Sequence, residues 1–240
     1  MGADRFEVAA RLLREAASRG QQVLAEHEAK QVLEAYGLPV TRETLVTRSD
    51  QLAPAAAAIG YPVALKASSP EIPHKTERGL VRLGLADEAA ALAAYDAIAG
   101  AIEGLPGGVL VQEMVAGSRE LAMGLVRDPD FGPCVMFGLG GILTEALGDA
   151  VFRRAPLEPA HAEDMLDEIR GRRILEAVRG MPAADRGLLA QMLCALGQIG
   201  LDHPAVQEID VNPLVLGGAG PVAVDALIVL REAPEGSLSG

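Results

Sequence analysis

Between Gly108 and Gly141 the chain passes through three β-rich segments, GVLVQEMV, RELAMGLVRD and PCVMFGLGG, with only short turns between them. Their alternation of apolar and polar residues, with an acid in each connector, reads as an antiparallel meander, which ALGDAVFRRAPL continues. Helical spacing follows over residues 160–175 and 185–199, the second stretch being broadly apolar. Two more strands, AVQEIDVNPLVL and GPVAVDALIVL, are joined through GGAG.

The residues before Gly108 read differently. Phe6 to Ala17 has the spacing of an amphipathic helix, and a second helix from about Ala25 to Tyr36 is stopped by Gly37 with Pro39 beyond it. A short strand over 38–46, a helix opened by Asp50, strands at YPVALKA and LVRLGL, and an Ala-rich helix from Asp87 to Ile98 come next. GLPGG then marks a turn. A small α/β unit followed by a larger antiparallel sheet with helices predicts an α/β fold of the α+β type, in two lobes. The expected division is an N-terminal helix at 1–21, a small lobe at 22–107, a large lobe at 108–234 and a flexible Gly/Ser-rich tail at 235–240.

With 240 residues, half of them apolar, the chain can bury a full core in one or two domains. Aromatic residues make up only 3%, with no Trp and 27 Gly, which suits close helix–sheet packing more than an aromatic-cored sandwich. A net charge of −12 disfavours nonspecific binding to nucleic acid or to anionic membranes. It leaves room for an anionic ligand, because local lysines and backbone N–H groups can outweigh a distant field. Cys134 and Cys194 stand alone, so neither a disulfide framework nor a thiolate metal site is indicated, and a reducing cytoplasmic compartment is expected. The charged N-terminus has no apolar segment of a secretory signal, and Phe6 sits where myristoylation requires Ser or Thr. No apolar run is long enough to predict a membrane span.

The connection VALKASSPEIPHKTERGLVRL carries more chemistry than a turn requires. Lys66 is either a solvated strand-end residue or a point charge for phosphate oxygens. Ser68, Ser69, His74, Lys75, Thr76 and Gly79 could complete a phosphate cradle, although the Walker A pattern is absent. His74 reads either as an ordinary loop histidine or as a phosphoryl acceptor. The four histidines have no metal-ligand spacing. Gln112, Glu113 and Met114 are either strand edge and core or a hinge offering main-chain groups to a purine; Glu120 is either surface or cleft-facing. FGLGG is either a tight turn or a close approach of backbone to ligand, and it lacks the context of a dinucleotide fingerprint. In EIDVNPL, period two puts Glu208, Asp210 and Asn212 on one face and Ile209 and Val211 on the other. That face is either solvated or a hard-oxygen site for Mg2+ bridging phosphates, with Asp225 returning beside it.

YPVALK, SPEIPHK, VLVQEMVAGSRELAMGLVRDPDFGPCVMFGLGGILTEALGD, the RG before MPAAD, and EIDVNPL occur in that order. Together, over roughly residues 22–231, they resemble the ATP-grasp module of ADP-forming acyl-CoA synthetases, a superfamily that includes succinyl-CoA synthetase β chains. The resemblance implies two lobes clasping ATP or ADP with Mg2+. It also implies reversible conversion of acyl-CoA, ADP and phosphate to acid, CoA and ATP through phosphohistidine. Lys66 and His74 would be catalytic, His74 as a phosphate relay. Lys66, Lys75, Gln112, Glu113, Met114, Val115 and Glu120 would hold the nucleotide, and Asn212 and Asp225, supported by Glu208, the metal. Relatives usually continue HKSDVGGV where this chain has HKTERGLV, so Arg78 and Leu80 depart from the pattern. The CoA-binding and primary phosphohistidine domains find no place in the sequence, so an α-subunit partner is expected to supply them and, through them, acyl-CoA and the carboxylate. Two other readings are a nucleotide-sensing regulatory subunit without turnover and a stand-alone ATP-grasp carboxylate ligase.

Overall fold

A computed structural model describes residues 2–72, 75, 78–141, 147–218 and 220–231; His74 and Thr76 lie outside the described residues. Two helices, α1 (Gly2–Ser18) and α2 (Glu26–Ala35), open the chain. α2 begins where the Ala25 N–H donates to the Glu28 side chain (3.1 Å), and it stops at Gly37, whose φ of 85° continues the chain in a conformation glycine adopts without strain.

A four-stranded antiparallel sheet follows, in the order β1-β4-β2-β3, from β1 (Glu43–Val46), β2 (Val63–Ser68), β3 (Val81–Leu85) and β4 (Gly108–Glu113). It packs against α3 (Leu52–Ile59) and α4 (Glu88–Ala101) through a core that includes Leu52, Leu65, Ala91, Ile98 and Val111. Asp87 caps α4 by accepting from the Ala90 N–H at 2.9 Å, a contact of the kind that stabilises a helix by about 1 kcal/mol.

The larger sheet contains β5 (Arg119–Asp128), β6 (Gly132–Leu139), β7 (Ala150–Arg154), β8 (Val206–Gly217), β9 (Gly220–Ala223) and β10 (Leu227–Leu230). Its order is β10-β8-β5-β6-β7, with β9 paired to β8. Helices α5 (Pro159–Glu168) and α6 (Arg186–Asp202) pack against each other, and α6 lies on β5 and β6. The helix expected over 160–175 is interrupted. The buried Asp149 carboxylate accepts from the N–H groups of Arg170 (2.9 Å) and Gly171 (2.7 Å), and residues 172–175 resume as a separate 3-10 turn.

Two further expectations change. GVLVQEMV is not the first strand of the meander: β4 sits between β1 and β2, so the sheets part after Glu113 instead of at Gly107–Gly108. Its first five residues are buried, as suits a central strand, and an apolar run does not say which sheet it enters. Helix α2, expected in the small lobe, contributes Ala29, Val32 and Leu33 to the core of the large sheet. The segment before it is tied there by backbone bonds Leu24 N–H to Ile228 O (3.0 Å) and Leu230 N–H to Gln22 O (2.7 Å).

Where α1 and α2 meet the end of α6, Tyr36 Oη is 2.9 Å from His203 Nε2 and donates to Asp202 at 2.8 Å, and Phe6 stacks on the histidine ring. Burial lowers the pKa of His203, against the opposing pull of Asp202. A histidine whose folded pKa lies below its unfolded value takes up protons on unfolding. Its stabilisation is complete above about pH 6.5 and declines as pH falls below that. Urea unfolding of His203→Gln should therefore show a shallower loss of stability between about pH 6.5 and 5 than the parent; parallel slopes would assign the loss to other groups. Among the described residues no helix is long and apolar enough to cross a membrane.

Candidate functional site

The two lobes meet at the first turn of α2, around Glu26. This carboxylate is 5% exposed and faces three ammonium groups. Oε1 accepts from Lys30 Nζ at 2.8 Å and from Lys66 Nζ at 3.0 Å, and Oε2 accepts from Lys75 Nζ. Lys30 also donates to Thr41 Oγ1 (3.0 Å), Glu43 Oε2 (2.7 Å) and Gln112 Oε1 (3.2 Å). Lys66, on β2 of the small sheet, donates to Val224 O of the large lobe at 3.0 Å, and Lys75 lies 3.6 Å from Asp225 Oδ1. Burial alone would raise the Glu26 pKa, but Lys66, Lys30 and Lys75 overcome it and hold the carboxyl well below the usual range. Burial works against the charge on Lys75 as well, yet Glu26 and Asp225 outweigh it and raise its pKa. Glu26 and Lys75 are thus both favoured in their charged forms, in a cluster shared between both lobes.

The predicted hinge lies at the end of β4. Gln112 is 2% exposed, and its side chain is committed to Lys30. The Glu113 carboxylate accepts from Arg42 N–H (2.8 Å) and Arg42 Nε (2.8 Å), so it fastens the chain before β1 to the hinge. Met114 is exposed and Val115 half-buried where the chain leaves the small sheet for the large one. The side chains of Gln112 and Glu113 are therefore engaged within the protein at the end of β4.

On the large sheet, the glycines of FGLGG answer to the protein itself. A Cβ on Gly140 would fall 2.3 Å from Leu121 O, and one on Gly141 (φ 59°) would fall 1.9 Å from Glu120 Oε2. The Gly141 N–H donates to Asn212 Oδ1 at 3.0 Å. The bare backbone thus allows Glu120, Gly141 and Asn212 to come together on one face, although they arise from β5, the end of β6 and β8.

Along β8, Glu208, Asp210 and Asn212 are less buried than Ile209 and Val211, as period two requires. Asp225 follows β9, where Val224 N–H donates to Pro213 O at 3.0 Å and keeps the segment beside β8. Burial, together with the charges of Glu208 and Asp225, pushes the Asp210 pKa up to about 6. Burial and the charge of Glu26 raise Asp225 too, partly offset by Lys66, Lys75 and Lys30. Carboxylates that resist ionisation together are a natural place for a cation. Among the described residues no group of three or more His, Cys, Asp or Glu side chains is arranged to hold a metal alone. Asn212 and Asp225 each carry a hard oxygen donor of the kind Mg2+ takes, and either would hold such a cation only with water and phosphate oxygens completing the shell.

Residues 15–230 match the ATP-grasp domain family. The chain is 36% identical over 226 residues to the acetate–CoA ligase [ADP-forming] I subunit beta of Pyrococcus furiosus, covering 92% of this chain and 97% of the relative. This chain belongs to the ATP-grasp family. It is also 40% identical over 205 residues to acetate–CoA ligase [ADP-forming] I of Archaeoglobus fulgidus; that match covers 84% of this chain but 30% of the longer relative. The chain therefore spans about a third of that ligase and nearly all of the Pyrococcus beta subunit. Its fold superposes with a TM-score of 0.83 on the dinucleotide forming acetyl-coenzyme A synthetase 1 of Ca. Korarchaeum cryptofilum, in complex with coenzyme A and Mg-AMPPCP. Identity there is 38%, over 93% of this chain and all of that one, and the phosphohistidine segment of that structure points towards the nucleotide binding site.

In this ATP-grasp protein the fold brings together Lys66, Lys75 and Asp225 at one end of the lobe junction, and Glu120 and Asn212 beside Gly141. Glu208 is set apart as the exposed member of its strand face, with Asp210 between it and Asn212. Sequence reasoning missed Glu26, Lys30 and the weight carried by Asp210. The available signal for the first two was their i, i+4 spacing within EHEAK, which marks an ion pair on one helix face but not its burial.

Proposed function

We propose that this chain is the nucleotide-binding β component of an ADP-forming acid–CoA ligase, interconverting acyl-CoA, ADP and phosphate with acid, CoA and ATP in complex with an α component. The observation that carries this reading is the convergence of Lys66 and Lys75 on Glu26 at the lobe junction, with the carboxylate of Asp225 beside Lys75. Two ammonium groups suit the phosphate chain, and main chain from Gln112 to Val115 suits the base. Glu120 is assigned to the ribose or phosphate end. Asn212 and Asp225 would hold Mg2+, with Glu208 supporting, and the bound cation would neutralise charge on the phosphates.

His74 is assigned the phosphate relay, accepting phosphate on imidazole nitrogen and passing it to ADP. The α component would carry the CoA site, the acyl substrate and the primary phosphohistidine, and the assembly would work in the cytoplasm. The readings as a nucleotide sensor or a stand-alone carboxylate ligase are not favoured, because relatives of matching length are ligase subunits.

The test is calorimetric titration of the chain with MgADP and MgATP. Lys66→Met removes a charge-assisted contact to phosphate and should weaken both by roughly 10- to 100-fold while the small sheet stays folded. Absence of any nucleotide binding by the parent would overturn the assignment.

A further inference from the structure

Glu26 lies outside every motif that carries the family resemblance, yet the lobe junction is built on it. Its three lysine partners depend on it unequally. Lys30 keeps Thr41, Glu43 and Gln112 as other acceptors, so its place is fixed without Glu26. Lys66 keeps Val224 O. Among the described residues Lys75 has only Asp225 besides, at 3.6 Å, and it belongs to the connection between β2 and β3, away from the regular strands.

We propose that Glu26 is the positioning residue for Lys75: its Oε2 holds that ammonium beside Lys66, so that two cations meet the nucleotide phosphates as a pair. This rests on the nucleotide-binding reading above. Two ammonium groups brought into one buried corner repel each other, and a carboxylate between them offsets that repulsion. Glu26 is suited to the task by its anchorage. It stands in the first turn of α2, where the helix dipole favours a negative charge, and α2 is packed into the large-lobe core. Lys75 is thereby tied to the large lobe although its own segment leaves the small sheet.

Changing Glu26 to Gln discriminates between the two oxygens. The amide oxygen can still accept from Lys30 and Lys66, whereas the amide nitrogen facing Lys75 cannot accept at all. Glu26→Gln should therefore release Lys75 alone. The experiment is a double-mutant cycle on the full chain, with MgADP affinity read by calorimetry and folding followed by melting temperature. Lys75→Met and Glu26→Gln should each weaken MgADP by about 10-fold, and the double variant should be no weaker than Lys75→Met within about 2-fold. Multiplying losses, to about 100-fold, or parental affinity in Glu26→Gln, would overturn the proposal. Should Glu26→Gln fail to fold, the cycle is run with Glu26→Asp under the same criterion. If the parent chain binds no MgADP, the nucleotide reading falls and takes this proposal with it; parental binding with independent losses sinks the Glu26 assignment alone.

Discussion

Replacing His74 with alanine should abolish ligase turnover of the assembled enzyme, by at least about 1000-fold, because removal of a covalent acceptor leaves the phosphate no route between components. Affinity for MgADP should change by less than about 3-fold, since the contacts assigned to binding belong to other residues. The described residues on either side of His74 have partners elsewhere: Ile72 is buried in the small-lobe core, and Lys75 is paired with Glu26 and Asp225. Labelled phosphate should appear on the parent chain and not on His74→Ala; turnover within tenfold of the parent would remove His74 from the mechanism. The departures in HKTERGLV have places of their own in the fold. Leu80 buries its side chain in the small-lobe core and its N–H donates to Lys75 O at 2.9 Å, while Gly79 keeps the positive φ of 66° that the turn uses. Arg78 is exposed.

Lys30→Met should produce the largest loss of stability. Lys30 is 1% exposed, and its ammonium lies within hydrogen-bond distance of four acceptors, two of them carboxylates, so that its three N–H groups are fully engaged. A methionine fills similar volume but supplies no donor. Glu26 would retain Lys66 and Lys75, whereas Glu43 would keep, among the described residues, only the Thr41 hydroxyl at 3.2 Å. Burial already raises the Glu43 pKa and Lys30 opposes that rise, so removing Lys30 leaves a carboxylate that is costly to ionise. Breaking a buried pair from one side costs about 3–5 kcal/mol, equivalent to a fall in melting temperature of roughly 6–20 °C for a chain of this size. Lys30→Met/Glu43→Gln should recover part of the loss, because the stranded charge is removed with its partner. A melting temperature within about 2 °C of the parent in Lys30→Met would show that the cluster contributes little.

What could be read directly from the sequence was whatever depends on near neighbours along the chain. The stop of α2 at Gly37 and the shared face of Glu208, Asp210 and Asn212 follow from backbone freedom and from the two-residue period of a strand. The ordered motifs, each modest alone, were enough to point to the ATP-grasp family. The sequence also put Lys66 and Asn212 on strands and Lys75 in the connection after β2, where they lie, whereas the strand expected over GPVAVDALIVL is broken into β9 and β10 with Asp225 between them.

Tertiary structure decided the rest. Strand β4 has the same apolar pattern whether it joins the meander or sits between β1 and β2, and only pairing across the fold chose the second. Gln112 and Glu113 looked available at a strand end until Lys30 and Arg42 claimed their side chains. Glu26 became the centre of the site through partners 40 and 49 residues away, and Lys66 reached the other lobe through a carbonyl 158 residues on. Periodicity reports which face a side chain occupies, but a charge takes its role from the groups that desolvate and neutralise it, and those were assembled only when the two sheets and α2 came together.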